Sequence, residues 1–190
     1  MNFYQKQFTE SEVEALKKET ENKNAIHKYN NLGKDYGTRW VGTAGELTFK
    51  EYLDRTGSSY THYYDAIEKD TIDFKLGKIN IDVKTLARKH SPRLDWSCDV
   101  DATQMEKTIK QKIVNVFVFA SYNTRTNVCS VLGSITVDSF LLESDIIRKG
   151  EMLPNNNPTP ASNDLYHMPI SYLKQLKYVD DFLVDNWLVV

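Results

Sequence analysis

Apolar and polar positions alternate with two different periods along the chain, and the change of period outlines its elements. Residues 42–56 carry apolar side chains three and four positions apart, which predicts a helix that stops at Gly57. Residues 113–122, IVNVFVFASY, form a β-branched and aromatic run, which is typical of a strand in the middle of a sheet. The order of helical and strand-like segments indicates an α/β fold with a central mixed sheet flanked by helices.

A glycine turn joins two shorter strands in the segment TIDFKLGKINIDVKT, residues 71–85. Gly77 and the alternating aliphatic residues around it predict a β-hairpin. The other predicted elements are shorter or more polar: a helix over 9–31 capped by Thr9 and Glu12, a strand over 59–66, an irregular loop over 88–100, a helix from a Thr103–Glu106 capping box to about Lys112, a strand VCSVLGSIT, a short helix VDSFLLES, a turn-rich loop over 150–164 and a C-terminal helix with a short apolar tail.

Composition narrows the functional classes. The chain has 190 residues, 41% hydrophobic and 26% charged, with a formal net charge of −2. This balance predicts a globular domain and argues against a basic protein that coats nucleic acid. Two cysteines, Cys98 and Cys129, are too few and too far apart for a disulfide framework or a Cys-type zinc site. The N-terminus lacks the apolar region of a secretory signal and no apolar run reaches membrane-spanning length, so a cytoplasmic protein without membrane contact is expected.

The hairpin also carries candidate chemistry. An acid, any residue and then lysine occurs three times, as Glu21-Asn22-Lys23, Asp73-Phe74-Lys75 and Asp82-Val83-Lys84. The tripeptide alone therefore says little. The first copy lies in a polar helix, where a solvated charged face explains it.

Strand alternation makes the third copy different. Side chains in a strand point alternately to opposite faces, so Asp82 and Lys84 are expected to lie on one face and Val83 on the other. The glycine turn places Asp73 on the neighbouring strand. Two carboxylates and an ammonium held close together suit a divalent cation and a water molecule, because Mg²⁺ prefers oxygen ligands and a nearby lysine can orient water or stabilise phosphate charge.

A third carboxylate comes from the predicted helix over 42–56. At 3.6 residues per turn, Glu46 falls on the same stripe as Phe49 and Leu53. A glutamate is rarely buried without a partner. A metal-bound water or Lys84 would be such a partner, and a half-exposed position at the edge of the stripe is the alternative.

The ordered set of Glu46 on a helix, Asp73 on a hairpin strand and Asp82-Val83-Lys84 on the next strand resembles the PD-(D/E)XK nuclease superfamily, whose members have a restriction-endonuclease-like three-layer core. The segments RWVGTAGELTFKEYL, VFVFASY and VLGSITVDSFLLES resemble the surrounding helix and strands of small phage and prokaryotic members. Ile72 stands where the family usually has proline. The resemblance covers residues 38–145, which are expected to form the nuclease core. The length of the chain predicts a single domain over 1–190, so a peripheral N-terminal helix in 1–37 and a C-terminal loop and helix extension in 146–190 are expected outside that core.

The resemblance also implies a function, a Mg²⁺- or Mn²⁺-dependent endonuclease that hydrolyses DNA phosphodiester bonds. By likeness to the family, Asp73, Asp82 and the carbonyl of Val83 would bind the metal, and Glu46 would bind a second ion directly or through water. Lys84 would orient the attacking water or stabilise the pentavalent state. Four basic residues near this site in sequence are candidates for contacts with the DNA backbone: Arg39, Arg88, Lys89 and Arg93.

Alternatives remain at this stage. Asp65 with Asp73-Phe74-Lys75 spells the same motif one strand earlier, but Lys75 adjoins the Gly77 turn, where it would be solvated. A catalytically silent DNA- or protein-binding module with the nuclease fold is a second functional class. A resolvase that cuts branched DNA as a homodimer is a third.

Overall fold

A computed structural model describes residues 3–27, 39–63, 72–154 and 160–176 of the chain. The first half contains β1 (Tyr4–Gln7), α1 (Glu10–His27), α2 (Arg39–Arg55), β2 (Thr61–His62), β3 (Phe74–Leu76) and β4 (Ile79–Arg88). The second half contains β5 (Ser97–Asp101), α3 (Ala102–Gln111), β6 (Val116–Asn123), β7 (Val128–Thr136), α4 (Val137–Glu143), β8 (Asp145–Ile147), β9 (Leu165–Pro169) and a 3₁₀ turn (Ile170–Tyr172).

Six strands form a central sheet in the order β1-β7-β6-β4-β3-β2. The pair β4 and β6 is parallel, and the other neighbouring pairs are antiparallel. Every residue of β6 is buried, as the apolar run at 113–122 predicts for a central strand. The remaining strands form a smaller antiparallel sheet in the order β5-β9-β8. The expected mixed α/β fold with a central sheet flanked by helices is confirmed.

The central sheet has a helical layer on one face and mixed structure on the other. On the first face, Phe49 and Leu53 of α2 pack with Ile81 and Val83 of β4. The opposite face is covered by α3, α4 and the smaller sheet, and its core includes Phe117, Phe119, Met105, Phe140 and Met168. Because β4 lies between these layers, its alternating side chains reach both of them.

Several sequence expectations hold in detail. The helix predicted over 42–56 is α2, which begins slightly earlier, and Gly57 follows it with φ +71°. The hairpin turns at Gly77 with φ +57°. At the start of α1, the Thr9 backbone N–H donates to Glu12 Oε2 at 2.7 Å and the Glu12 N–H donates to Thr9 Oγ1 at 3.2 Å, so this capping box is confirmed.

Other expectations are wrong. The capping box of α3 is absent from its predicted position, because Asp101 is the N-cap and its side chain accepts from the Thr103 N–H at 3.0 Å. The loop expected over 88–100 contains the end of β4 and the start of β5. Strands β1, β5, β8 and β9 are additional to the predicted elements.

Several expected elements fall partly outside the residues that the structure describes. Of the strand expected over 59–66, the described part contains β2, Thr61–His62. The expected end of the helix over 9–31 lies outside the described ranges, as does the predicted C-terminal segment beyond residue 176. The described start of that segment overlaps the 3₁₀ turn Ile170–Tyr172. Among the helices that are described, none is long and apolar enough to cross a membrane.

Candidate metal site at the β3–β4 hairpin

The site begins where β3 and β4 separate. Their pairing register runs from Leu76 to Phe74 on β3, whereas β4 stays paired with β6 through Arg88. Asp73 occupies the point of separation. Its N–H donates to the Ile81 carbonyl at 2.9 Å, and its Oδ2 accepts from the Val83 N–H at 2.6 Å. The Asp73 carboxylate therefore takes the place of the next backbone acceptor along the ladder.

This contact also locates the Val83 carbonyl. The N–H and C=O groups of one strand residue point to the same edge of the strand, and adjacent residues alternate between the two edges. Val83 therefore presents its carbonyl to the edge at which Asp73 binds its N–H. The structure brings Asp73 and the Val83 backbone together, as the sequence predicts.

Asp82 and Lys84 form an ion pair on the face of β4 that looks toward α3. Lys84 Nζ lies 2.7 Å from Asp82 Oδ2 and 3.4 Å from Oε1 of Gln104 in the first turn of α3. It also lies 5.7 Å from the centre of the Phe117 ring. The two charged side chains are only 11% and 19% exposed, so water screens their attraction weakly. The predicted juxtaposition of this acid and this lysine is present.

Glu46 reaches the site from α2, and a glycine contact fixes the height of that helix over the sheet. A Cβ atom added at Gly45 would lie 1.8 Å from Thr85 Oγ1, so the helix backbone lies directly on β4. Glu46 Oε2 lies 3.5 Å from Nε2 of His62 on β2. His62 is the partner that the structure gives this carboxylate, in place of the Lys84 or metal-bound water considered from the sequence.

The electrostatics of the site centre on Asp73. Burial raises the pKa of this carboxyl well above its usual range, and the negative charges of Asp82 and Glu46 raise it further. The hydrogen bond from Val83 and the charge of Lys84 act in the opposite direction but are weaker. Three acidic side chains thus share one region with a single lysine, and the negative charge exceeds its local compensation.

The donor set fits a hard divalent cation in its chemistry. Asp73, Asp82, Glu46 and the Val83 carbonyl supply the oxygen ligands that Mg²⁺ or Mn²⁺ accepts. They do not form a finished cage, since within the described ranges no three His, Cys, Asp or Glu side chains converge in a metal-binding arrangement. Asp82 is bound by Lys84 and Asp73 by the Val83 N–H. The ion pair with Lys84 uses Oδ2 of Asp82, so a metal could bind through Oδ1 or take the place of the ammonium.

The four basic residues expected near DNA have different environments. Arg88 donates to the Ser97 carbonyl and stacks 4.9 Å from the centre of the Trp96 ring, and burial lowers its pKa. Arg93 is exposed but forms two 3.1 Å contacts with Asp95. The remaining two residues are the partly buried Arg39, which opens α2, and the exposed Lys89, which follows β4. Arg88 therefore has an internal structural role in addition to any contact with a ligand.

The lysine of the alternative motif, Asp73-Phe74-Lys75, has a different environment from Lys84. Lys75 is exposed on β3 and pairs across the hairpin with Asn80. Asp65 lies outside the described residues. Lys84, in contrast, directly contacts an acid of the site.

Two neighbours of the site were missed by the sequence interpretation, His62 and Gln104. His62 lies in a short aromatic strand whose register with β3 places it opposite Phe74, beside Asp73. Pairing that strand with the hairpin would have indicated it. Gln104 lies in the first turn of α3, which begins at Ala102, whereas the sequence pattern predicts that this helix starts at a Thr103–Glu106 capping box.

Comparisons with models of protein families, with curated proteins and with solved structures found no match to this chain.

Proposed function

We propose that the chain is a metal-dependent deoxyribonuclease that hydrolyses phosphodiester bonds at the β3–β4 hairpin. The observation that carries the proposal is the position of Asp73 at the hairpin, where its Oδ2 accepts from the Val83 N–H, the negative charges of Asp82 and Glu46 act on its carboxyl, and Lys84 pairs with Asp82 on the same strand. A buried excess of negative charge destabilises a protein unless a cation compensates it. Carboxyls with strongly perturbed pKa values are found most often at functional sites. The ordered acids and lysine of the PD-(D/E)XK pattern point to the same chemistry.

Each residue then has a distinct role. Asp73 and Asp82 would hold the metal with the Val83 carbonyl, and Glu46 would bind a second ion or its water. A bound Mg²⁺ or Mn²⁺ would lower the pKa of an attacking water and neutralise phosphate charge. Lys84, which lies beside Asp82, would orient that water or stabilise the charge that develops on the phosphate.

The substrate proposed is DNA, reached through phosphate contacts that carry no sequence information. The candidates for such contacts are Lys89, which is exposed after β4, and Arg39, which is partly buried at the start of α2. A cytoplasmic location goes with this activity, in the host cell if the chain is phage-encoded. A homodimer would accompany activity on a four-way junction, because symmetric cleavage of a junction needs two active sites.

The test is cleavage of supercoiled plasmid in Mg²⁺, comparing the wild-type chain with Asp82→Ala and Lys84→Ala. Loss of either group should lower the rate by about 100-fold or more, as removal of charge-stabilising or proton-transferring groups usually does. Lys75→Ala is the matched control, because it removes the lysine of the alternative motif from an exposed position. Its rate should stay within a factor of about three of wild type, since it leaves the charged groups that stabilise the transition state in place. Cleavage that survives both Asp82→Ala and Lys84→Ala would overturn the site assignment.

A second function is favoured by one observation: two of the acids already have partners within the protein. With Lys84 on Asp82 and the Val83 N–H on Asp73, the site satisfies part of its charge without metal. A DNA- or protein-binding module that has kept the fold without cleavage would have this property. Assays on linear duplex, single-stranded DNA and a four-way junction separate the two: binding without cleavage of any of them, in Mg²⁺ or Mn²⁺, supports the module.

A further inference from the structure

We propose that His62 is a positioning residue of this site, whose imidazole holds the Glu46 carboxylate toward Asp73. The inference rests on the proposed function and adds a residue to it that lies outside the PD-(D/E)XK pattern. Nε2 of His62 is 3.5 Å from Oε2 of Glu46. The two side chains are 11% and 21% exposed, so neither is a freely solvated surface group.

The imidazole is itself held in place by aromatic packing. His62 and Phe74 are cross-strand partners on β2 and β3. Their rings are 4.3 Å apart at the centroids and 1° from parallel. Phe74 is fully buried and meets Phe49 of α2 edge-on, with ring centroids 5.2 Å apart at 90°. A ring stacked on such a rigid support has little freedom to turn away from Glu46.

This packing connects the two elements that carry the acids. Phe74 follows Asp73 directly on the hairpin, and Phe49 comes three residues after Glu46 on the same side of α2. His62 lies between them, stacked on the hairpin and reaching the helix. The position of its nitrogen relative to Asp73 is therefore set by the fold rather than by its own side-chain flexibility.

Glu46 needs such a constraint. Its side chain has three rotatable bonds, and the negative charge of Asp73 repels its carboxylate. Without a partner, the carboxylate would prefer rotamers that point away from the site. The His62 nitrogen attracts the Glu46 carboxylate toward the site, against the repulsion from Asp73. Outer groups of this kind orient metal ligands in many sites.

Two variants separate the nitrogen from the packing of the ring. His62→Phe keeps a flat ring against Phe74 and removes the nitrogen. His62→Gln removes the ring and keeps a polar N–H near Glu46. The first readout is Mn²⁺ affinity measured by calorimetry without DNA, and the second is plasmid cleavage under single-turnover conditions. The unfolding midpoint in urea is measured in parallel on each chain.

The positioning role predicts that His62→Phe keeps the wild-type unfolding midpoint, binds Mn²⁺ about tenfold more weakly and loses about 10- to 100-fold in cleavage rate, the usual effect of removing an outer partner of a metal ligand. His62→Gln should recover most of the Mn²⁺ affinity despite losing the stack. A purely structural role would give the reverse order, with the Phe variant close to wild type and the Gln variant impaired.

The outcomes distinguish this inference from the proposed function. If the wild-type chain binds Mn²⁺ and cleaves DNA while His62→Phe equals it in both, the positioning role is overturned and the nuclease proposal stands. If the wild-type chain neither binds Mn²⁺ nor cleaves, the nuclease proposal fails and the role of His62 falls with it. Should His62→Phe not fold, His62→Leu supplies the variant without nitrogen, with the same expected tenfold loss of Mn²⁺ affinity.

Discussion

Gly45 of α2 lies against Thr85 of β4 so closely that a Cβ atom at position 45 would come within 1.8 Å of the Thr85 Oγ1 and 2.9 Å of its Cβ. The contact joins the helix that carries Glu46 to the strand that carries Asp82 and Lys84. It sets the distance between the two acid-bearing elements. The glycine that precedes the acid is therefore required by close approach, since its backbone lies in an ordinary helical conformation.

The first prediction concerns this contact. Gly45→Ala should lower the free energy of unfolding by about 1–3 kcal/mol, because the added methyl group must displace the helix or Thr85. Gly42→Ala is a matched control in the same helix, since a Cβ there meets nothing within 4 Å. It should be neutral or stabilising by up to about 1 kcal/mol through helix propensity. Urea titrations of the two variants measure the contrast, and equal effects would contradict the close-packing explanation.

Thr85→Ala provides a further test of the same contact. It removes the Oγ1 and Cγ2 atoms that a methyl group at position 45 would meet, but leaves the Thr85 Cβ at 2.9 Å. The double variant should therefore recover part of the stability lost in Gly45→Ala. Additive effects of the two substitutions would show that position 45 and position 85 do not interact.

Local patterns predicted the central elements because burial and local signals agree there. The β-branched and aromatic run around Phe117 and Phe119 favours a buried strand, and Gly77 predicts the hairpin that brings Asp73 to Val83. The alternation of Asp82, Val83 and Lys84 then placed the acid and the lysine on one face. These parts of the site follow from the period of a strand alone.

The remaining parts depend on contacts between distant segments. Strand β1 is four polar or half-polar residues, YQKQ, and exists because it pairs with β7 more than 120 positions away. His62 approaches Glu46 only because β2 adds to the edge of β3. The two-residue length of β2 gives too few positions for a periodicity, so neither contact has a local signature.

The second prediction tests the corrected start of α3. Asp101 caps this helix by accepting from the Thr103 N–H at 3.0 Å, and its Oδ2 accepts from Asn163 Nδ2 at 3.0 Å. Asp101→Ala should lower the free energy of unfolding by about 1 kcal/mol, the usual effect of losing an N-cap. Thr103→Ala should change it by less than about 0.5 kcal/mol, because Thr103 contributes its backbone and not its side chain to the cap. A larger loss for Thr103→Ala would restore the capping box expected from the sequence. Urea denaturation measures both.

The third prediction concerns Glu51, which ties α2 to β1. Glu51 Oε2 accepts from Lys6 Nζ at 2.8 Å and its Oε1 from the Tyr4 hydroxyl at 2.7 Å. These hydrogen bonds lower the pKa of Glu51, with the bond from Lys6 as the larger cause. A carboxyl whose pKa is lower in the folded state stabilises the fold above its unfolded pKa, and that contribution disappears as the pH falls through the folded pKa.

Glu51→Gln should therefore reduce the free energy of unfolding by about 1 kcal/mol at pH 7 and by much less at pH 3. The partly buried position of this pair argues for an effect larger than that of an exposed pair. Glu14→Gln is the control, because the Glu14–Lys17 pair is exposed on α1 and should contribute less than about 0.5 kcal/mol. A loss for Glu51→Gln that does not vary with pH would assign the effect to packing instead of charge.

The fourth prediction uses the crowding at Asp73. Burial, Asp82 and Glu46 raise the pKa of this carboxyl above the value of an unfolded chain. A carboxyl with a raised folded pKa favours the fold only while protonated, so the protein without metal should lose stability as the pH rises from the unfolded pKa through the folded one. Asp73→Asn removes that loss and keeps an oxygen that can accept from the Val83 N–H.

In EDTA at pH 7, Asp73→Asn should be more stable than the wild-type chain by about 1 kcal/mol or more, since one pKa unit corresponds to about 1.4 kcal/mol. The difference should shrink as the pH falls through the folded pKa of Asp73 toward its unfolded value. Asp145→Asn, an exposed acid on β8, is the control and should stay within about 0.5 kcal/mol at both pH values. Adding Mg²⁺ should stabilise the wild-type chain and not Asp73→Asn, because binding to the folded state raises its stability by mass action. If Asp73→Asn is less stable than wild type at every pH in EDTA, Asp73 stabilises the fold through its hydrogen bond with the Val83 N–H. The charge of Asp73 would then not be the destabilising group that a cation is expected to neutralise.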